Sequence, residues 1–346
     1  MRQSLIKDLL MNLPFYSIII KYDYIFESQI DSRFEEYSTT TSTFLKDDRL
    51  VLGSNDGQIR ILDLKNQVVE DFIAHEYKIN FLKVLTDNRI VTSSFENIFK
   101  VWDINTGMLL QSSEVPIDTF LSIDISQDDR IIGLNEDFGR EIYIWNPNTD
   151  KHGVIFSFDE EINLIYVFNN TIVFTSKGNI ILLDINTSQI LIEFKGYYTV
   201  SILQKYSDSQ IISASIDGLI KIWNIYTGIC ENILYAVNVR KIYILLDKDI
   251  IITVSNDASV KIWKDKKLQF TINENLSRIT CFERLPNNNL ISGAVNGELR
   301  IWDLDTGTHH IFDRHKKEIG NIKLLNTNQL VTVSYSNDNS EVIVWK

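Results

Sequence analysis

The residues of this chain best suited to chemistry are its carboxylates, its five histidines and its two cysteines. Carboxylates dominate: 46 Asp and Glu against 34 Lys and Arg leave a formal charge of −12. Several stand beside a second acid or amide, at Asp47-Asp48, Asp87-Asn88 and Asp128-Asp129, and Asn169-Asn170 takes the same place in its own unit. Two close carboxylates can divide acid and base duties between them. These pairs instead recur at one place, just before a short apolar run, where Asp and Asn shape tight turns. The run SNDNSE (336–341) offers oxygen ligands but not the loop spacing of a calcium site. Cys230 and Cys281 make neither a disulfide framework nor a metal site. His309-His310 is a lone pair in a strand-like run and comes no closer to one. The chain has no G-x-S-x-G elbow, no phosphate-cradling glycine loop, no C-x-x-C and no H-E-x-x-H. The expectation is a protein that is not an enzyme and takes no metal or cofactor.

What would position any functional residue here is a repeat. KVWDINTG (100–107) returns as KIWNIYTG (221–228) and as RIWDLDTG (300–307). Trp102, Trp145, Trp223, Trp263, Trp302 and Trp345 each end an apolar run, and Leu62 and Leu183 fill the same slot. Those eight positions lie 38 to 43 residues apart, which marks a repeat architecture. The fifth unit shows the internal order: ILIEF (190–194), VSILQ (200–204), IISAS (211–215) and LIKIW (219–223), separated by turn residues. Short β-branched runs at even spacing predict an all-β fold, and helix signals are absent from residue 40 onward. The runs are apolar on both sides, as in a sheet covered on both faces. Lys221 can lay its stem beside Trp223 and keep its amine in water. Four-stranded sheets stacked face to face are the blades of a propeller.

On these residues the units resemble WD repeats, with Trp-Asp pairs at 102–103 and 302–303 and departures to Trp-Asn, Trp-Lys and Leu-Asp in the other units. The resemblance covers about residues 27–346 and implies a WD40-type β-propeller. Eight slots imply eight blades, with the commoner seven as the alternative. It also implies a buried hydrogen-bonded tether in each blade that keeps the motif. His75, Thr92, Glu96 and Trp102 match it in the second unit, and His315, Thr332, Asp338 and Trp345 in the eighth. Units one, five and six keep the turn acid, as Asp56, Asp217 and Asp257, but have no histidine in the preceding turn. The last unit stops after Trp345, so ring closure by an N-terminal strand near Ser28–Phe34 is expected. Residues 1–26 lie outside the repeat and form a separate short helical segment, either a cap or a remnant. Leu13-Pro14 followed by an apolar stretch resembles the opening of an F-box, which implies docking to a ubiquitin-ligase adaptor.

The same resemblance places partner contacts on the rim formed by the tight turns. Apolar or aromatic residues there are Phe95, Tyr197, Tyr198, Ile216, Val295 and Tyr335, with Tyr77 nearby. Aromatic groups on a polar rim suit buried anchors of an interface. The negative charge disfavours nucleic acid and anionic membrane, no apolar run reaches the ~18 residues of a membrane span, and Lys7 and Asp8 interrupt any signal peptide. The basic runs KDKK (264–267) and RHKK (314–317) are expected to be solvated loops. The function expected is a monomeric, intracellular and cytoplasmic scaffold for protein or peptide partners. The alternatives are a substrate receptor of an F-box-type ubiquitin ligase and an enzyme with a central-channel site.

Overall fold

The computed structural model describes residues 39–66, 68–96, 98–114, 120–135, 139–168, 170–194, 199–273, 277–286, 289–334 and 341–345. Among them the only helical element is a single 3-10 turn at Leu246–Lys248. Everything else regular is strand, arranged as eight antiparallel sheets. Seven sheets have four strands, at 39–73, 79–114, 120–157, 164–194, 200–235, 239–272 and 279–314, and the eighth, at 319–345, has three. In every sheet neighbouring strands are also neighbours in sequence, so each sheet is a meander of tight hairpins. The expected strand at 28–34 and the segment 1–26 lie outside the described residues. No described helix is long and apolar enough to cross a membrane.

Burial explains the strand sequences. The second strands, such as Ile90–Ser94, Ile250–Ser255 and Leu330–Ser334, are buried at every position. Both of their faces are covered, so they read as unbroken apolar runs rather than alternating ones. The fourth strands are largely exposed, as Val68–Ile73 shows. The sequence repeat is offset from the sheets by one strand. ILIEF (190–194) opens a repeat unit but pairs with 179–184, Ile180 opposite Phe194, and so closes the fourth sheet.

The chain divides into two compact units, one spanning Thr43–Thr271 and the other Ile272–Lys346 with the residues up to Ser42. Within the first, several fourth strands lay an apolar side chain on the next sheet. Phe72 packs on Trp102 with ring centroids 5.0 Å apart, and Phe194 stacks on Trp223 at 5.1 Å. Aromatic pairs of this kind add about 0.5–1.5 kcal/mol beyond their buried area. First strands are joined by side chains instead of ladders: Asp124 accepts from the Val167 N–H at 2.8 Å and from Lys83 Nζ at 3.0 Å.

The Asp/Asn pairs do form turns, with Asp48, Asn88 and Asp129 in the left-handed region at φ 71°, 72° and 65°. The first acid of each pair has a further task that the sequence reading missed. Asp47, Asp87 and Asp128 hold Arg49, Arg89 and Arg130, whose free ends donate to Asn105, Asn148 and Asn186 of the following sheet at 2.9, 2.7 and 3.0 Å. Asp129 adds a fourth link by accepting from both the N–H and the hydroxyl of Thr86, at 2.8 and 2.6 Å. These contacts staple successive sheets along one set of turns.

In the second unit, Phe312 packs on Trp345 at 5.2 Å, and the Leu324 N–H donates to Glu283 at 3.0 Å. Asn321 of the eighth sheet donates to Ser42 Oγ at 2.9 Å.

Candidate interaction surface

The surface rests on turns whose roots are fixed from inside the sheets. In the second sheet Thr92 is fully buried and faces Trp102 and His75. The Trp102 indole N–H donates to Thr92 Oγ1 at 2.9 Å, and His75 Nε2 lies 2.8 Å from the same oxygen. Glu96 closes the relay, 3.1 Å from His75 Nδ1. A consistent proton order is indole to hydroxyl, hydroxyl to Nε2, and Nδ1–H to carboxylate, with the imidazole neutral. Burial pushes His75 below the usual imidazole value; the Glu96 hydrogen bond opposes this and the Lys100 charge adds to it. Burial would raise Glu96, but hydrogen bonds from the Glu76 N–H, His75 and Lys100 outweigh it and hold the carboxyl low.

The eighth sheet has the same relay. Trp345 donates to Thr332 at 2.9 Å, and His315 bridges Thr332 and Glu341 at 2.7 and 2.8 Å. The carboxylate here is Glu341, the first residue of the last strand, while Asp338 lies outside the described residues. Elsewhere only part of the relay exists. Trp223, Trp263 and Trp302 donate to Ser213, Thr253 and Ser292. Trp145 has Gly133 at that register and turns to Asp150 at 3.1 Å. In the fourth sheet Phe174 and Leu183 occupy the Thr92 and Trp102 registers, and the site is wholly apolar. Without a histidine above them, Asp217 and Asp257 cap their own turns through the Leu219 and Ser259 N–H groups.

The turns anchored this way carry exposed apolar side chains. Phe95 is 56% exposed and Ile216 58% exposed, while Val295 is half-buried. Tyr197, Tyr198 and Tyr335 lie outside the described residues. Ser176, at the equivalent turn of the fourth sheet, points inward and donates to Glu161 O at 2.7 Å. Tyr77 is exposed on the turn that Glu96 ties to the Phe95 turn through the Glu76 N–H. Two residues packed against Gly218 of the same turn as Ile216 went unnoticed in the sequence. Tyr235 and Val237 are both exposed, and a Cβ added at Gly218 would lie 3.0 Å from the Tyr235 ring and 3.5 Å from Val237 Cα. The signal that could have found Tyr235 is its alternation with Ile233 along CENILY, two exposed positions flanking buried Leu234. Among the described residues no group of three His, Cys, Asp or Glu side chains could hold a metal ion.

An all-β, eight-bladed propeller of the WD40 type is the fold these sheets define. Residues 188–224 match the family described as WD domain, G-beta repeat. Among solved structures, the chain resembles the computationally designed Ika8 protein over 90% of its length and 96% of that chain, at TM-score 0.73 and 24% identity. It also resembles the C-terminal WD40 domain of Sif2 over 90% of its length and 99% of that chain, at TM-score 0.70 and 17% identity. Among curated relatives it is similar to Denticleless protein homolog of Gallus gallus, 24% identical over 51% of this chain and 25% of that protein. Autophagy-related protein 16 of Arabidopsis thaliana is 20% identical over 66% of this chain and 37% of its own length. E3 ubiquitin-protein ligase COP1 of Pisum sativum is 23% identical over 38% of this chain and 20% of its own length. The chain thus matches only a minor part of each curated relative's length.

Proposed function

We propose that this protein is a non-catalytic scaffold that holds protein or peptide partners on the turn surface bearing Phe95, Ile216 and Val295. The observation that carries the reading is the contrast between roots and tips. The roots of these turns are buried and hydrogen-bonded, while Phe95 and Ile216 stand exposed at their tips and Val295 is half-buried. A rigid base under an exposed aromatic or aliphatic anchor is the arrangement from which binding hot spots are built. Tyr197, Tyr198 and Tyr335 belong to the same proposed surface by their place in the repeat. Nucleic acid and anionic membrane are poor partners for a chain of charge −12. We take the protein to act as an intracellular, cytoplasmic monomer.

A second reading is favoured by the relatives named E3 ubiquitin-protein ligase. In it the propeller selects substrates, and the F-box-like segment 1–26 docks a ligase adaptor. Affinity capture from lysate with the full chain, a chain lacking residues 1–26 and a Phe95→Ala/Ile216→Ala variant separates the two. Under the scaffold reading only the rim variant loses its partners. Under the receptor reading the truncation also loses ligase adaptors. Capture that neither change affects would refute the choice of surface.

A further inference from the structure

Asn296 is the one asparagine of the chain that is followed by glycine. The fold demands that glycine. A Cβ added at Gly297, where φ is +82°, would lie 2.2 Å from His315 O and 2.8 Å from Lys317 O, against backbone that cannot yield cheaply. Gly57 and Gly218 hold the equivalent place in the first and fifth sheets, at φ +79° and +86°, and the residue before each is an aspartate. Asp56 and Asp217 accept the N–H two residues on, at 3.4 and 2.9 Å. Asn296 Oδ1 accepts the Glu298 N–H in the same manner at 3.1 Å. The seventh sheet thus sets a carboxamide where those two set a carboxylate.

That exchange changes the chemistry of the turn. The carbon of a side-chain amide is open to attack by the backbone nitrogen that follows it, and glycine has no side chain to shield that nitrogen. Asn296 is exposed, so water and hydroxide reach it. The bond from Glu298 folds the amide back toward the Gly297 peptide. It also puts an N–H donor on Oδ1, the atom on which negative charge gathers as the attack proceeds. One contact opposes the reaction. The Gly297 N–H donates to Ala294 O at 3.0 Å, and this bond has to open before the nitrogen is free. Opening one such bond in a turn is a small local fluctuation.

We propose that Asn296-Gly297 is a self-modification site, at which water replaces the side-chain amide and the backbone is rerouted through isoaspartate. Hydroxide takes the proton of the Gly297 nitrogen, which then bonds to Asn296 Cγ and closes a five-membered imide. The Cγ–Nδ2 bond breaks, and the nitrogen leaves as ammonia with a proton from water. A water molecule then opens the ring. Cleavage at the backbone carbonyl gives isoaspartate, and cleavage at Cγ gives aspartate. One water is consumed overall, one ammonia is released, and nothing is oxidised or reduced. Either product adds a negative charge next to Val295. Aspartate reproduces the turns at Asp56 and Asp217. Isoaspartate inserts a methylene into the backbone beneath turn 315–317, where the His315 N–H donates to Gly297 O at 2.8 Å.

The test holds the full chain at mildly alkaline pH and follows position 296 by peptide mapping with mass spectrometry, beside a free peptide of residues 290–302. Isoaspartate and aspartate are expected together at 296, at a rate that rises with hydroxide. Because one backbone hydrogen bond has to open, the folded chain should convert no more than about tenfold slower than the free peptide. An Asn296→Gln variant, which would have to close a six-membered ring, is expected to keep its amide over the same period. Slower conversion of the folded chain than that limit overturns the proposal. Aspartate without isoaspartate overturns it too, since direct hydrolysis makes no imide, as does conversion of the Asn296→Gln variant at the parent's rate. The scaffold reading stands or falls separately on capture through Phe95 and Ile216.

Discussion

Replacing Thr92 by Val tests whether the buried relay holds the second sheet together. Valine keeps the shape of threonine, and position 92 is fully buried, so the change removes little besides a hydroxyl. Two groups then lose their partner: the Trp102 indole N–H, bonded at 2.9 Å, and His75 Nε2, at 2.8 Å. Leaving a buried polar group unsatisfied costs about 1–3 kcal/mol, which for two groups sets the expected loss at about 2–6 kcal/mol. Guanidinium denaturation followed by circular dichroism should show this as a lower midpoint with an unchanged slope. In a Trp102→Phe background no indole N–H remains to be stranded, so the same substitution should cost about 1–3 kcal/mol less. A loss below about 1 kcal/mol, or an equal loss in both backgrounds, would refute the assignment. The fourth sheet shows why removing one partner differs from removing all of them. Phe174 and Leu183 fill the same registers there and leave no polar group to satisfy.

Other outcomes follow from the same geometry. Because His75 titrates lower in the folded than in the unfolded chain, the unfolded state takes up its proton first, and stability falls as pH drops below the ordinary histidine value of about 6.5. The stability gap between the parent and His75→Gln should therefore narrow between about pH 7.5 and 5.5 in denaturant midpoints, and a constant gap would count against a neutral buried imidazole. Gly57→Ala would set a Cβ 1.9 Å from His75 O at φ +79°, and a loss above about 4 kcal/mol is expected in thermal melts. Asp129→Ala strands the Thr86 N–H and should cost about 1–3 kcal/mol, whereas Arg130→Ala, whose partners Asp128 and Asn186 are solvent-exposed, should cost less than about 1 kcal/mol. Equal costs in chemical denaturation would mean that the arginines, not the buried aspartate, join the sheets.

Strand positions were legible because burial on both faces writes itself as unbroken apolar runs. LIKIW and IISAS fall inside strands 219–224 and 210–215. Sheet membership was less legible, since a repeat unit looks the same wherever its boundary is drawn. The short 185–189 hairpin, not the repeat, assigns 190–194 to the fourth sheet. The histidine, threonine and tryptophan of the relays could be found by spacing, because sheet register fixes them. The carboxylate was found as Glu96 in the second sheet but not as Glu341 in the eighth, because the connection before the last relay strand varies in length: Ser94 to Ile98 in one sheet and Ser334 to Glu341 in the other. The arginine staples left a trace in the recurring Asp-Asp-Arg and Asp-Asn-Arg runs and the Asn-Thr turns at 105, 148 and 186. Their meaning lies between neighbouring repeats, which no single repeat displays.

The burial of every tryptophan has an optical consequence. All six indoles are less than 7% exposed, and each donates its N–H to a side chain within its own sheet. Intrinsic emission at tryptophan wavelengths therefore watches the interiors of six sheets, out of reach of collisional quenchers such as iodide. The first and fourth sheets, with Leu62 and Leu183 in that slot, are dark in the same measurement. A partner arriving at Phe95 or Ile216 would pass unseen, and a label placed on the turns is needed to register it.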